Sequence, residues 1–164
     1  MIPGIIQKNR SVKMNNVEQL KNAITNNIEN IALYNTNIYY CKENNKIDAL
    51  KANKKAKNAE KKLHQKNVND LCTIAYNQAL KELDYNTPSK KLRYCTARVY
   101  DTKNYYLLKS YNTFIACIDK KTNSLYDCLR IVYGYTATSA KHISKFNQDY
   151  GLEKYGCKSQ YTAR

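Results

Sequence analysis

The sequence predicts an α+β protein: an N-terminal helical hairpin or three-helix unit, then a four-stranded antiparallel meander with one covering helix. Three observations predict it. Before residue 85, apolar residues recur three and four positions apart, the period of an amphipathic helix. After residue 92 they alternate with polar ones, the period of a strand. Between the two, the stretch Tyr85, Asn86, Thr87, Pro88, Ser89 breaks the helix, because the residue before a proline avoids the helical region. The expected organisation is a helical unit over 1–86, a linker over 85–92, the meander and its helix over 92–156, and a tail over 157–164.

The first helix is expected over 14–35. Asn15 with Glu18 forms a capping-box variant, and Val17, Leu20, Ile24, Ile28 and Ile31 follow at helical spacing. A second helix over 46–65 has Asn44 or Asn45 as its N-cap. Ala49, Ala52, Ala56, Ala59 and Leu63 form a narrow seam of small side chains that lets helix axes approach closely. An antiparallel pairing with the first helix would bury it, and a homodimer would use the same seam. A third helix over 68–84 carries Leu71, Ile74, Ala75, Leu80 and Leu83; the alternative is one long helix over 46–84.

Strands are expected over 93–100, 104–109, 113–119 and 125–133, where β-branched and aromatic residues dominate. Lys120 to Ser124 connects the last two, with Asn123 as its left-handed residue. The covering helix runs over 137–150, capped by Thr136 or Thr138 and stopped by Gly151.

Composition bounds the chemistry. The 164 residues hold 28 Lys and Arg against 13 Asp and Glu, a formal charge of +15. Such an excess attracts nucleic acid, anionic lipid or an acidic protein face. No apolar run reaches the length of a membrane span, and Met1 to Gln7 lacks the basic start and cleavage site of a secretory signal, so no membrane partner is expected. The six cysteines, Cys41, Cys72, Cys95, Cys117, Cys128 and Cys157, contain no C-x-x-C pair. They read as reduced, buried thiols of a cytoplasmic protein rather than as a metal or disulfide framework. No cofactor and no metal are expected.

The run Ser110, Tyr111, Asn112, Thr113, then Ile115 to Asp119, then Gly134 to Ser139, then Lys141, His142, Ile143, Phe146, Tyr150 and Gly151 resembles a small module of proteins from phages and mobile elements of low-GC Gram-positive bacteria. The module has no assigned activity, so the resemblance carries over no catalytic residue. It implies a setting: a protein acting in the cytoplasm of a bacterial host cell. Small proteins of that setting often block host defence, CRISPR nucleases included.

Candidate sites follow from charge and aromatics. Lys51, Lys54, Lys55, Lys57, Lys61, Lys62 and Lys66 crowd the second helix with few acids between them. Lysines so placed can neutralise phosphates without reading bases, although most lysine runs are ordinary solvated faces. Arg93, Arg98 and Arg130 lie among the tyrosines of the expected sheet and complete the nucleic-acid or nucleoprotein set. Tyr105, Tyr106, Tyr111, Tyr133 and Tyr135 are candidates for a protein interface, where Tyr and Arg are enriched. Half of the chain's 16 tyrosines are accounted for as core and boundary residues.

His142 is the strongest single candidate for chemistry, beside a Thr/Ser-rich helix start, but no base or nucleophile set is placed next to it. The simpler reading has it packed at the helix–sheet boundary. No G-x-S-x-G and no phosphate-binding glycine loop is present. The expectation is therefore a protein that is not an enzyme. It would inhibit a host defence nucleoprotein, such as a Cas nuclease, by binding. The alternative is a sequence-tolerant DNA- or RNA-binding accessory protein.

Overall fold

The computed structural model describes residues 4–151 and 159–164, and the side chains of 16–151 and 159–164. Two long helices come first, α1 (Gly4–Glu43) and α2 (Ile47–Leu80). Six strands and two short helices follow. They are β1 (Ser89–Lys91), β2 (Arg98–Asp101), β3 (Tyr105–Ser110), β4 (Thr113–Asp119), β5 (Ser124–Asp127), α3 (Leu129–Val132), α4 (Ala137–Phe146) and β6 (Ser159–Thr162). A turn of π-helix, Asn147–Gly151, extends α4. The chain groups into two compact units, Met1–Asp70 and Leu71–Arg164, divided within α2.

In the first unit the two helices are antiparallel. Asn45, at φ 52°, ends α1 rather than capping α2. The Lys46 N–H donates to the Cys41 carbonyl at 3.0 Å and the Asn45 N–H to that of Lys42 at 3.3 Å, which satisfies carbonyls that the helix end leaves open. Along α1 the less exposed positions include Val17, Leu20, Ile24, Asn27, Ile31, Tyr34, Ile38 and Cys41. Along α2 they include Leu50, Asn53, Lys57, Glu60, His64 and Asn67. Both series step by three and four, the heptad seam of a coiled coil.

The bonds across this seam confirm its direction. Asn53 donates to Cys41 Sγ at 3.8 Å. Asn27 donates to Glu60 at 2.5 Å and accepts from Asn67 at 2.9 Å. Asn30 adds a bond to Glu60 at 3.2 Å. These two amides hold the Glu60 carboxyl below its usual range, Asn27 being the larger cause.

The alanine seam is therefore corrected. Ala49, Ala52, Ala59 and Leu63 are exposed and Ala56 is half-buried. The buried series lies one position along from the alanines, and about 100° of helix rotation separates the two. On the α2 side Asn53, Glu60 and Asn67 hold the seam because they bond to Cys41, Asn27 and Asn30 across it. The expected second and third helices are one continuous helix that stops at Leu80.

In the second unit the sheet order is β1-β2-β3-β4-β5-β6. The first five strands are antiparallel neighbours, and β6 pairs in parallel with β5. The fold is thus α+β as expected, but the sheet is six-stranded and mixed rather than a four-stranded antiparallel meander. Alternation sorts the side chains to two faces. On one, Val99, Leu108, Ala116, Ile118 and Leu125 pack with Leu129, Ile143 and Phe146. The opposite parity, Tyr105, Leu107, Cys117 and Tyr126, is also buried. Over that face lies the Leu71–Leu80 stretch of α2. There Tyr105 Oη donates to Gln78 at 3.1 Å, Tyr76 Oη donates to the Phe114 carbonyl at 3.1 Å, and Cys72 donates to the Tyr161 carbonyl at 3.5 Å.

Three boundaries differ for local reasons. The strand expected over 93–100 begins only at Arg98. Residues 92–97 form a loop closed by the Leu92 N–H on the Ala97 carbonyl at 2.9 Å, with Arg93 at φ 49°. The strand expected over 125–133 ends at Asp127, whose carboxylate accepts the Leu129 N–H at 3.0 Å and opens α3. Residues 89–91 of the linker form β1, and residues 159–162 of the tail form β6.

Candidate nucleic-acid interface and an uncharged pocket

A helix repeats every 3.6 residues. Lys51, Lys55, Lys62 and Lys66 therefore share a line opposite the coiled-coil seam, and Lys54 and Lys61 flank it. All six are exposed; Lys57 is half-buried in the seam. None of the seven pairs with a carboxylate among the described residues, where the ion pairs are Arg93–Asp149 and Lys120–Asp101. The line from Lys51 to Lys66 is about 22 Å long. This back of α2 is a continuous, unneutralised cationic ridge.

The arginines and tyrosines belong to the other unit. Arg93 holds Asp149 through two bonds, 2.8 and 2.5 Å, and Gln148 at 3.1 Å. It ties its loop to the π-turn. Arg98 reaches the Ser89 hydroxyl at 3.2 Å. Arg130 is exposed and lies over the Tyr135 ring, 4.7 Å from its centroid. Tyr105 is a core residue, 9% exposed, and burial pushes its phenol pKa well above the usual value. Tyr106 is half-buried between Tyr150 and the Lys120 ammonium. Tyr111, Tyr133 and Tyr135 remain open to solvent.

The partner of His142, which the sequence did not place, is Ser110. Ser110 ends β3, and its Oγ lies 2.8 Å from His142 Nδ1 and 3.1 Å from Ser139 Oγ. All three side chains are buried. Thr136 caps α4 by accepting the Ser139 N–H at 3.2 Å, which fixes Ser139 in its first turn. Burial, and then the Lys145 charge, lower the His142 pKa from its ordinary value of 6.5, so the imidazole is neutral at pH 7.

A hydroxyl beside a neutral imidazole is one half of a nucleophile–base arrangement. Asp149 pairs with Arg93, and Asp127 accepts the Leu129 N–H at the start of α3. The cluster ties the β3–β4 turn to α4.

Beside it opens a pocket of about 270 Å³ with Ser110 and Ser139 in its lining. Tyr111, Asn112 and Thr113 of the β3–β4 turn and Tyr133 after α3 also line it. Tyr111 sits at φ 52°, a left-handed conformation that is uncommon for a bulky residue. The turn thereby holds its ring 59% exposed. Among its lining residues there is no charged group.

Of the cysteines, Cys41, Cys72, Cys117 and Cys128 are buried free thiols and Cys95 is half-buried; Cys157 lies outside the described residues. Burial raises the Cys117 pKa, so this thiol stays protonated. Among the described residues no three His, Cys, Asp or Glu side chains converge on a metal position. No helix among them is long and apolar enough to cross a membrane.

Fold and surface define an α+β protein with a cationic helical hairpin and a sheet unit that bears an uncharged polar pocket. The chain belongs to a family of unknown function, DUF8033, whose match covers residues 81–163. That span takes in all six strands and α4; the hairpin lies outside it. No curated protein and no solved structure matches the chain.

Proposed function

We propose that this protein acts by binding, without catalysis, and that the back of α2 grips the phosphate backbone of a nucleic acid. The single observation behind the reading is the ridge of six exposed lysines, none paired with a carboxylate among the described residues. Cations that are not neutralised internally release counterions from a polyanion when they dock. The phage or mobile-element setting implied by residues 110–151 supplies the rest. There the nucleic acid is the guide or target of a host defence nucleoprotein, a CRISPR nuclease for instance, and docking inhibits it.

The test is binding to duplex DNA, single-stranded DNA and RNA at about 50 and 200 mM salt. Four phosphate contacts predict roughly a hundredfold loss of affinity over that range. Replacing Lys51, Lys55, Lys62 and Lys66 with Glu should abolish binding and leave the fold unchanged by circular dichroism. Equal binding by this variant would end the proposal. A defence nuclease whose activity is indifferent to the protein would end its inhibitory part and leave an accessory nucleic-acid-binding role.

A further inference from the structure

The pocket over Ser110 and Ser139 has a chemistry unlike the rest of the surface. The chain carries a charge of +15, yet the pocket is lined only by hydroxyls, an amide, phenols and Ile115. A phosphate would find no cation there. A neutral, planar, polar group would find each thing it needs.

The floor is a short chain of hydrogen-bonding groups. Ser110 Oγ contacts both Ser139 Oγ and His142 Nδ1, at 3.1 and 2.8 Å. A hydroxyl has one donor and two acceptor sites. Ser139 therefore keeps capacity to spare, and the chain can present either a donor or an acceptor. Asn112 on the rim carries both in one planar amide, the group that reads base edges. Tyr111 and Tyr133, 59% and 64% exposed, supply aromatic faces on which a flat ring stacks. The positive φ of Tyr111 keeps one of these rings at the mouth instead of folded into the core.

We propose that this pocket takes one unpaired nucleobase, stacked on Tyr111 and Tyr133 and hydrogen-bonded to the Ser110–Ser139 floor. It rests on the nucleic-acid reading where the base belongs to a strand. The same chemistry would admit a free nucleoside. Duplex DNA, whose bases are stacked and paired, would engage the lysines alone.

Two measurements on the full chain separate these outcomes. In the first, anisotropy compares a labelled single strand with an abasic strand of the same length and charge. Stacking of one base predicts about tenfold tighter binding of the intact strand. Tyr133→Ala should erase that difference while leaving duplex affinity unchanged; the residue is exposed, so the fold should be kept. In the second, the four neutral nucleosides are titrated at millimolar concentration while the His142 ring signals are followed by NMR. A saturable shift is expected with at least one.

If strands bind but intact and abasic ones bind alike, and no nucleoside moves His142, the pocket proposal is wrong and the lysine reading stands. If no strand binds but a nucleoside does, the pocket is a free-nucleoside site and the lysine reading is wrong. If neither occurs, both are overturned.

Discussion

Phe146 and Ile118 in the sheet unit, and Asn27 and Glu60 in the hairpin, occupy equivalent places with opposite chemistry. Each lies where two elements meet. In the sheet unit that place is filled by apolar side chains, and Phe146, Leu108 and Leu125 are fully buried. In the hairpin it is filled by a bonded group of Asn27, Asn30, Glu60 and Asn67. Burial of hydrocarbon is non-directional and tolerates sliding. A polar group inside a coiled-coil seam is directional: a shifted register leaves its members unpaired. The hairpin thus gives up cohesive strength for a fixed alignment, while the core of the sheet unit is apolar.

The largest expected effect is on the apolar side of this contrast. Phe146→Ala should destabilise the sheet unit by about 3–5 kcal/mol, because the cavity adds to the lost transfer energy. Urea unfolding measures it, and a loss below about 1 kcal/mol would contradict the packing described. Next comes Asn27→Ala, which strips Glu60 and Asn67 of a shared partner at a site 5% exposed. It should cost about 1–3 kcal/mol. Replacing Asn27 and Glu60 together with Leu should recover much of that loss while loosening the register. Disulfide trapping between the native Cys41 and Asn53→Cys, positions whose side chains meet across the seam at 3.8 Å, would show the loosening as a loss of that crosslink.

A smaller effect concerns His142. Its folded pKa lies below the ordinary 6.5, so between the two values the unfolded chain binds more protons than the folded one. Stability is then complete above about pH 6.5 and declines as the pH falls below it. Melting temperatures at stepwise lower pH should show this, and His142→Gln should remove it in that window. Glu60 and Glu82 act lower down. Burial pushes the Glu82 carboxyl up, but bonds from Asn104 and Thr102 and the Lys120 charge outweigh it, so both carboxyls end below 4.5. Their contribution is present above that value and is lost only as the pH drops through it. The smallest effect is Tyr111→Gly. Relief of the left-handed backbone, less the extra freedom of glycine when unfolded, predicts a gain of about 0.5–1 kcal/mol. The pocket would lose a wall at the same time.

Legibility in the sequence followed the same divide. Strands β3 and β4 were visible from the aromatic and β-branched residues within Tyr105 to Ser110 and Thr113 to Asp119, and Asn123 is left-handed at φ 51° as the turn requires. Of the hairpin seam the α1 side was visible: Val17, Leu20, Ile24 and Ile31 are buried or half-buried as their spacing requires, although Ile28 is 55% exposed. The α2 side was not. Asn53, Lys57, Glu60, His64 and Asn67 carry no hydrophobic signal, and the alanines beside them carry a false one. At 129–132 the residues Leu, Arg, Ile, Val favour a strand by propensity, but Asp127 turns the chain and a helix results. That carboxylate, two residues before the turn of helix it starts, was the available clue. The pocket was half legible. Ser110, Ser139 and His142 all fell in the motif that drew attention, but only the fold joins residues 29 and 32 positions apart.

The parallel strand β6 sets an order of events during synthesis. Tyr126 stacks on Tyr161 with ring centroids 5.4 Å apart, and the Ala163 N–H donates to the Asp127 carbonyl at 3.0 Å. Until residue 163 has emerged from the ribosome, the edge of β5 stands open. An open edge is a template for pairing with another chain. Between making β5 and making β6 the molecule therefore offers β5 as an edge, a strand that in the finished sheet is interior. Slow translation through residues 128–158 would lengthen that interval, and a truncated product would never leave it.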